Sequence, residues 1–255
     1  MSERAFSQEA RNLVVAHRGA SVEEPENTLA AFDRAVERGA DAVEFDVRLT
    51  ADGAAVLLHD ADVGRTSDGD GPVGALTLAE VKRLRIAGAH EVPTLEEALR
   101  SLSGRVAVDI EIKNIPGEPD FTPDGEPVVE ATLAALERTG FVGPVLVSSF
   151  NHASIAHARA LAPEVPTGLL VAPGTDARAA LAFAASGGHP WILPFVGMVQ
   201  AEGDAFADEA QTAGLRLGTW IVDDPETALA LFDAGVDAVA TNDPGTIVAA
   251  VREAR

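Results

Sequence analysis

The stretch Ala42-Val43-Glu44-Phe45-Asp46-Val47 alternates carboxylates with apolar residues. Strand side chains point to opposite faces in turn, so Glu44 and Asp46 share one face, and Val43, Phe45 and Val47 the other. A buried strand with two carboxylates on one face is costly unless a cation pairs them. The same oddity recurs in Asp109-Ile110-Glu111-Ile112-Lys113, where Glu111 and Lys113 share a face. Two histidines hold comparable places. His17, followed by Arg18-Gly19, ends the run Leu-Val-Val-Ala at 13–16, and His59 closes Val-Leu-Leu at 56–58. The pattern points to a metal held by Glu44, Asp46 and Glu111, with His17 and His59 beside it as proton-transfer groups.

Outward from these positions, strand-like runs alternate with helix-like runs. Strands are expected at 13–16, 42–47, 106–112, 145–148, 167–171, 191–193, 215–220 and 238–241. A helix is expected at about 28–38, with Asn27 as N-cap and Gly39 as its stop. Others follow at about 127–139, 152–161, 176–185, 203–213, 225–234 and 244–253. Thr94-Leu95-Glu96-Glu97 is a capping box that opens one more. Eight β-then-α units predict an α/β fold, a (β/α)8 TIM barrel, in one domain spanning 1–255. An open doubly wound sheet is the alternative, but its Gly-rich first turn with dinucleotide spacing is absent. Barrel active sites lie at the C-terminal strand ends, where the charged positions fall. Residues at about 48–93 interrupt the rhythm with an extra strand at 55–58, a Gly/Asp-rich loop and a short helix near 78–84. They read as a small insertion after the second strand, capping one side of the barrel mouth.

The net charge of −21 argues against nucleic acid and against an anionic membrane surface, because both need basic patches. A phosphate site here would need its own local cations. Only two of the nineteen Lys and Arg residues are lysines, Lys82 and Lys113. An acidic, lysine-poor surface fits a high-salt solvent and fits a high-GC codon bias equally. No cysteine is present, which excludes thiolate nucleophiles and zinc–sulfur sites. No apolar run is long enough to span a bilayer. The first nine residues lack the apolar stretch of a secretory signal, so a cytoplasmic location is expected. Composition leaves the oligomeric state open.

Several motifs, in order, resemble those of the glycerophosphodiester phosphodiesterases. They are His17-Arg18-Gly19, Pro25-Glu26-Asn27-Thr28, Val43-Glu44-Phe45-Asp46-Val47, Leu57-Leu58-His59-Asp60 and Arg65-Thr66. Pro93-Thr94-Leu95-Glu96-Glu97, Ile110-Glu111-Ile112-Lys113, Ser148-Ser149-Phe150, Thr219-Trp220 and the closing run 235–244 continue the match. The resemblance implies a TIM barrel that hydrolyses glycerophosphodiesters to sn-glycerol 3-phosphate and an alcohol with a divalent cation. It implies that Glu44, Asp46 and Glu111 bind the metal, that His17 and His59 are general base and acid, and that Arg18 and Lys113 hold the phosphate. Hard oxygen ligands suit Mg²⁺ or Ca²⁺, with Mn²⁺ a further candidate. Trp220 and Phe150, at strand ends, are candidate walls of the substrate site.

The chain departs from the family pattern in three places. Members commonly carry Asn after Trp-Thr-Val, where this chain has Trp220-Ile221-Val222-Asp223. The common Thr-Asp-Arg-Pro reads Thr241-Asn242-Asp243-Pro244, and the loop 114–124 is unusual. These changes bear on head-group preference. Two other functions compete. One is a lysophospholipase D acting on lysolipids, with Phe195, Val196 and Met198 as an apolar platform. The other is a non-catalytic barrel that binds a phosphodiester. Glu26 and Asn27 could add hydrogen bonds around the site, although capping explains Asn27 as well. His90, His152, His157 and His189 read as surface or loop residues.

Overall fold

The computed structural model describes residues 5–7, 9 and 11–254, except 124 and 204. Its strands are β1 (Leu13–His17), β2 (Ala42–Leu49), β3 (Ala55–Leu57), β4 (Ala107–Ile112), β5 (Val145–Ser149), β6 (Thr167–Val171), β7 (Trp191–Pro194), β8 (Arg216–Trp220) and β9 (Ala238–Thr241). All but β3 pair in parallel. β9 pairs with β1 and β1 with β2, so eight strands close into a ring. The helices are α1 (Leu29–Arg38), α2 (Leu78–Val81), α3 (Leu95–Leu102), α4 (Pro127–Thr139), α5 (His152–Leu161), α6 (Ala177–Gly187), α7 (Val196–Glu202), α8 (Ala205–Thr212), α9 (Pro225–Asp233) and α10 (Pro244–Glu253). The architecture is a (β/α)8 barrel. Among the described residues, no helix is long and apolar enough to cross a membrane.

The alternation in β2 builds the barrel wall. Phe45 turns outward onto Phe32 of α1, with ring centroids 5.4 Å apart and both side chains fully buried. Burying each such ring stabilises the fold by about 1.5–3 kcal/mol. Leu193 of β7 and Trp191 fill the barrel interior. A Cβ at Gly168 or Gly218 would come within 2.9 or 2.6 Å of the Leu193 methyls, so a side chain at either strand position would force Leu193 to shift. The floor is closed by Phe6, whose carbonyl accepts from Trp191 Nε1 at 3.2 Å.

The insertion departs from barrel order. β3 runs antiparallel to β2 outside the ring, because residues 50–54 form a tight hairpin rather than a helical crossover. The return carries Leu58 back to Asp46, where its N–H donates to the Asp46 carbonyl at 3.1 Å. His59 therefore reaches the mouth from the hairpin and not from a barrel strand. Val56, Leu58, Val63, Val73, Val81, Ile86 and Val92 give this segment its own apolar cluster.

Three sequence expectations need correction. Thr28, not Asn27, caps α1, accepting from the Ala31 N–H; Asn27 sits at φ 56° and turns its side chain elsewhere. The helix expected at 203–213 is α8, and a separate α7 precedes it, with Gly203 at φ 72° separating the two. His189 is buried, 2.7 Å from Thr167 Oγ1 and stacked near Phe183, because the α6–β7 turn folds it inward.

Candidate active site

Glu44 and Asp46 of β2 and Glu111 of β4 meet because the two strands pair with Asp46 beside Glu111. One oxygen from each lies within 4.8 Å of the others, and all three residues are buried. Two cations face them. Lys113 Nζ is 2.9 Å from Asp46 Oδ1 and forms an ion pair with Glu111 Oε1. Arg18 Nε is 3.2 Å from Asp46 Oδ2. The backbone supports the arrangement. Arg18 adopts φ 57°, which aims its N–H at Glu44 Oε2 at 2.8 Å, and Asn27 Nδ2 donates to Asp46 Oδ2 at 2.7 Å.

Electrostatics leave the cluster short of positive charge. Burial, then the neighbouring Asp46 carboxylate, pushes Glu44 well above the usual carboxylate range. Burial likewise raises Glu111. Asp46 is also pushed up by burial, but Lys113 and Arg18 outweigh this and hold it well below the ordinary value. Asp109, one turn of the alternation below Glu111, is raised to about 7 by burial while Ser148 Oγ donates to it at 2.7 Å. Glu44 Oε1 is buried with no hydrogen-bond partner, and Asp46 Oδ1 and Glu111 Oε1 share the one Lys113 ammonium. Three buried acceptor oxygens converging on one point fit a hard divalent cation. When all three are ionised, the carboxylates exceed Arg18 and Lys113 by one negative charge. A divalent ion reverses that balance by one, and a phosphodiester anion then cancels it.

The two histidines have unlike partners. His17 Nδ1 lies 2.9 Å from the amide oxygen of Asn242, and burial followed by the Arg18 charge lowers it to about 4. His59 Nδ1 lies 2.5 Å from the carboxylate of Asp60. Burial lowers His59 as well, with the Asp46 and Asp60 carboxylates opposing. Arg65 braces Asp60 from behind, with Nε at 2.5 Å, and bridges to Glu26, which also accepts from Arg18 at 3.0 Å.

Across the mouth stands an aromatic wall. Trp220, at the end of β8, packs edge-on against Phe150 at 5.5 Å and against Phe195 at 5.4 Å. Its Nε1 donates to the Leu193 carbonyl at 2.8 Å, which fixes the indole. One cavity is lined by His17, Arg18, Glu44, His59, Glu111 and Lys113 on its charged side and by Phe150 and Trp220 on the other. All the site residues singled out in the sequence thus come together, and all but Asp46, which is fully buried against Lys113 and Arg18, line this cavity. Of the expected apolar platform, only Phe195 joins the wall; Val196 and Met198 pack against the core outside the barrel.

Sequence reasoning missed several supports. Arg65, Asp223 and Asn242 stand in the quoted motif stretches, but no periodic signal there shows that they support the histidines and their partners. Arg48 was legible in principle, since it continues the Glu44–Asp46 alternation. It is fully buried and donates to the His59 carbonyl, Asp120 and Glu118.

Residues 17–246 match the model of the glycerophosphoryl diester phosphodiesterase family. A glycerophosphodiester phosphodiesterase of Caldanaerobacter subterraneus subsp. tengcongensis is 35% identical over 258 residues, covering 95% of this chain and 99% of that protein. The fold is similar to that of an Oleispira antarctica phosphodiesterase in complex with its product sn-glycerol-3-phosphate. The TM-score is 0.85 at 29% identity, over 99% of this chain and 100% of that one. It is also similar to a glycerophosphodiester phosphodiesterase of Agrobacterium tumefaciens, with TM-score 0.78 at 27% identity, over 93% of this chain and 99% of that one.

Proposed function

The chain belongs to the glycerophosphoryl diester phosphodiesterase family and is a phosphoric diester hydrolase, and from that premise we propose that it converts glycerophosphodiesters to sn-glycerol 3-phosphate and an alcohol. Glu44, Asp46 and Glu111 hold a divalent cation, Mg²⁺ or Ca²⁺ with Mn²⁺ as a substitute. The observation that carries this is the convergence of three buried carboxylates, one oxygen of each within 4.8 Å of the others. When bound, the cation polarises a phosphoryl oxygen as a Lewis acid.

The chain's own groups do the rest. Arg18 and Lys113 place positive charge beside the phosphate. His17, lowered to about 4, is neutral near pH 7 and takes the proton of the attacking oxygen. His59 gives a proton to the departing alkoxide, and the Asp60 carboxylate on Nδ1 stabilises the imidazolium form that this role needs. Burial lowers both histidines, so the assignment of base and acid rests on their unlike partners, a neutral amide on His17 and a carboxylate on His59. Trp220 and Phe150 shield the apolar side of the substrate from water.

The test is a product assay on glycerophosphocholine, glycerophosphoethanolamine, glycerophosphoglycerol and a lysolipid, each with and without EDTA. Release of glycerol 3-phosphate, lost in chelator and restored by Mg²⁺, Ca²⁺ or Mn²⁺, is expected. Full turnover in the metal-stripped protein refutes the metal role. Preference for the lysolipid refutes the substrate assignment.

A further inference from the structure

Three neighbouring strand ends, those of β8, β9 and β1, carry a hydrogen-bonded line that ends on His17. Asp223, beyond β8, accepts three donors from the β9 end. The Asn242 backbone N–H reaches Oδ1 at 2.7 Å, Thr241 Oγ1 reaches Oδ1 at 2.9 Å, and Asn242 Nδ2 reaches Oδ2 at 2.8 Å. Thr241 Oγ1 itself accepts the Asp243 N–H at 3.1 Å, so its own proton is free for Asp223. A carboxylate only accepts, so the Asn242 NH₂ must face Asp223 and its oxygen must face the other way. Turning the amide over would set two acceptor oxygens against each other at 2.8 Å. The outward oxygen lies 2.9 Å from His17 Nδ1 and 3.1 Å from Ser21 Oγ. An amide oxygen also only accepts, so His17 Nδ1 must carry the proton.

We propose that Asp223 is a positioning residue that, through the Asn242 amide, holds His17 in the Nδ1–H tautomer and leaves Nε2 as the proton acceptor at the cavity. Asp223 touches neither substrate nor cation. It acts by deciding which nitrogen of His17 is basic.

The proposal rests on His17 as the base, and the experiment separates the two. Asp223→Asn should invert the line. The new amide oxygen stays with the backbone N–H and the Thr241 hydroxyl, so its NH₂ faces Asn242. The Asn242 amide then turns over and presents its NH₂ to His17, moving the imidazole proton to Nε2. The double variant Asp223→Asn/Asn242→Asp restores an acceptor against Nδ1. The readout is the two-bond ¹H–¹⁵N spectrum of ¹⁵N-histidine-labelled full-length protein, with His17 assigned by its loss in His17→Ala.

Wild type should show Nδ1–H, Asp223→Asn should show Nε2–H, and the double variant should return to Nδ1–H. In parallel, kcat for glycerophosphocholine should fall by roughly 100-fold or more in Asp223→Asn with KM little changed, and recover in large part in the double variant. Wild-type His17 protonated on Nε2 overturns the proposal without any substitution. So does an unchanged tautomer in Asp223→Asn. Inversion with undiminished turnover supports the line and refutes His17 as the base.

Discussion

Replacing Arg48 by Met is expected to cost the fold about 3–5 kcal/mol, the usual loss when one partner of a buried ion pair is removed. Methionine fills much of the volume of the arginine stem, so the loss comes from the guanidinium. That group has no exposed surface and makes five hydrogen bonds: two to the His59 carbonyl, two to Asp120 and one to Glu118. Glu118 is 32% exposed and can turn to water, so its share is small. Asp120 is 9% exposed and cannot. The His59 carbonyl also loses both guanidinium donors, and an unsatisfied buried acceptor costs about 1–3 kcal/mol. At about 2–4 °C per kcal/mol for a chain of this size, Tm should drop by about 6–20 °C. Urea unfolding and thermal melts of Arg48→Met, Asp120→Leu and the double variant read the effect. The double variant should cost less than the two single losses added together, because removing both charges leaves neither one stranded. A loss below about 1 kcal/mol in Arg48→Met, or strict additivity, refutes the view that this buried arginine holds the His59 backbone and the 118–120 loop together.

Lys113→Arg should fold and bind metal but lose at least about tenfold in kcat/KM, about 1.4 kcal/mol, because a planar fork does not fit where a compact ammonium meets both Asp46 and Glu111. Wild-type kinetics at saturating metal would make Lys113 a structural counter-ion. His17→Ala and His59→Ala should each lower turnover by about 10²–10⁴, with an unchanged far-UV spectrum; a substrate with a good leaving group should rescue only His59→Ala in part. Metal-free protein should lose stability as pH rises above about 6.5. Glu44, Glu111 and Asp109 are raised above their unfolded values, so their contribution is present below about 4 and lost as pH climbs through the folded values, about 7 for Asp109; below about 6.5 the lowered His17 and His59 oppose this loss. Saturating Mg²⁺ should flatten the slope between about pH 6.5 and 8, and a slope indifferent to metal would count against the cation site.

The strands were legible because their signals are local. Residues 167–171 and 238–241 are strands to the residue, and the others differ by one or two positions at their ends. The carboxylates were legible because a two-residue period sets Glu44 beside Asp46 whatever surrounds them. The supports were not. Asn27 is a good capping residue, and only the left-handed backbone at 27 sends its amide to Asp46. α7 escaped because Phe195-Val196-Gly197-Met198 offers no capping side chain; the helix is held by packing on the core instead. Asp223 and Asn242 stand in loops nineteen residues apart, and nothing in sequence spacing pairs them.

The order of the strands also gives the enzyme a history in each molecule. Glu44, Asp46, Glu111 and Lys113 all lie in the first 113 residues, on strands that neighbour one another. β1 keeps one edge unpaired until β9 arrives, more than two hundred residues later. A chain caught part-way, during synthesis or refolding, can thus gather its carboxylates before His17 has met Asn242. On the proposed roles, such an intermediate would capture a cation yet not turn over. The first appearance of activity in a refolding mixture therefore times the closing of the ring, a step that metal uptake alone does not report.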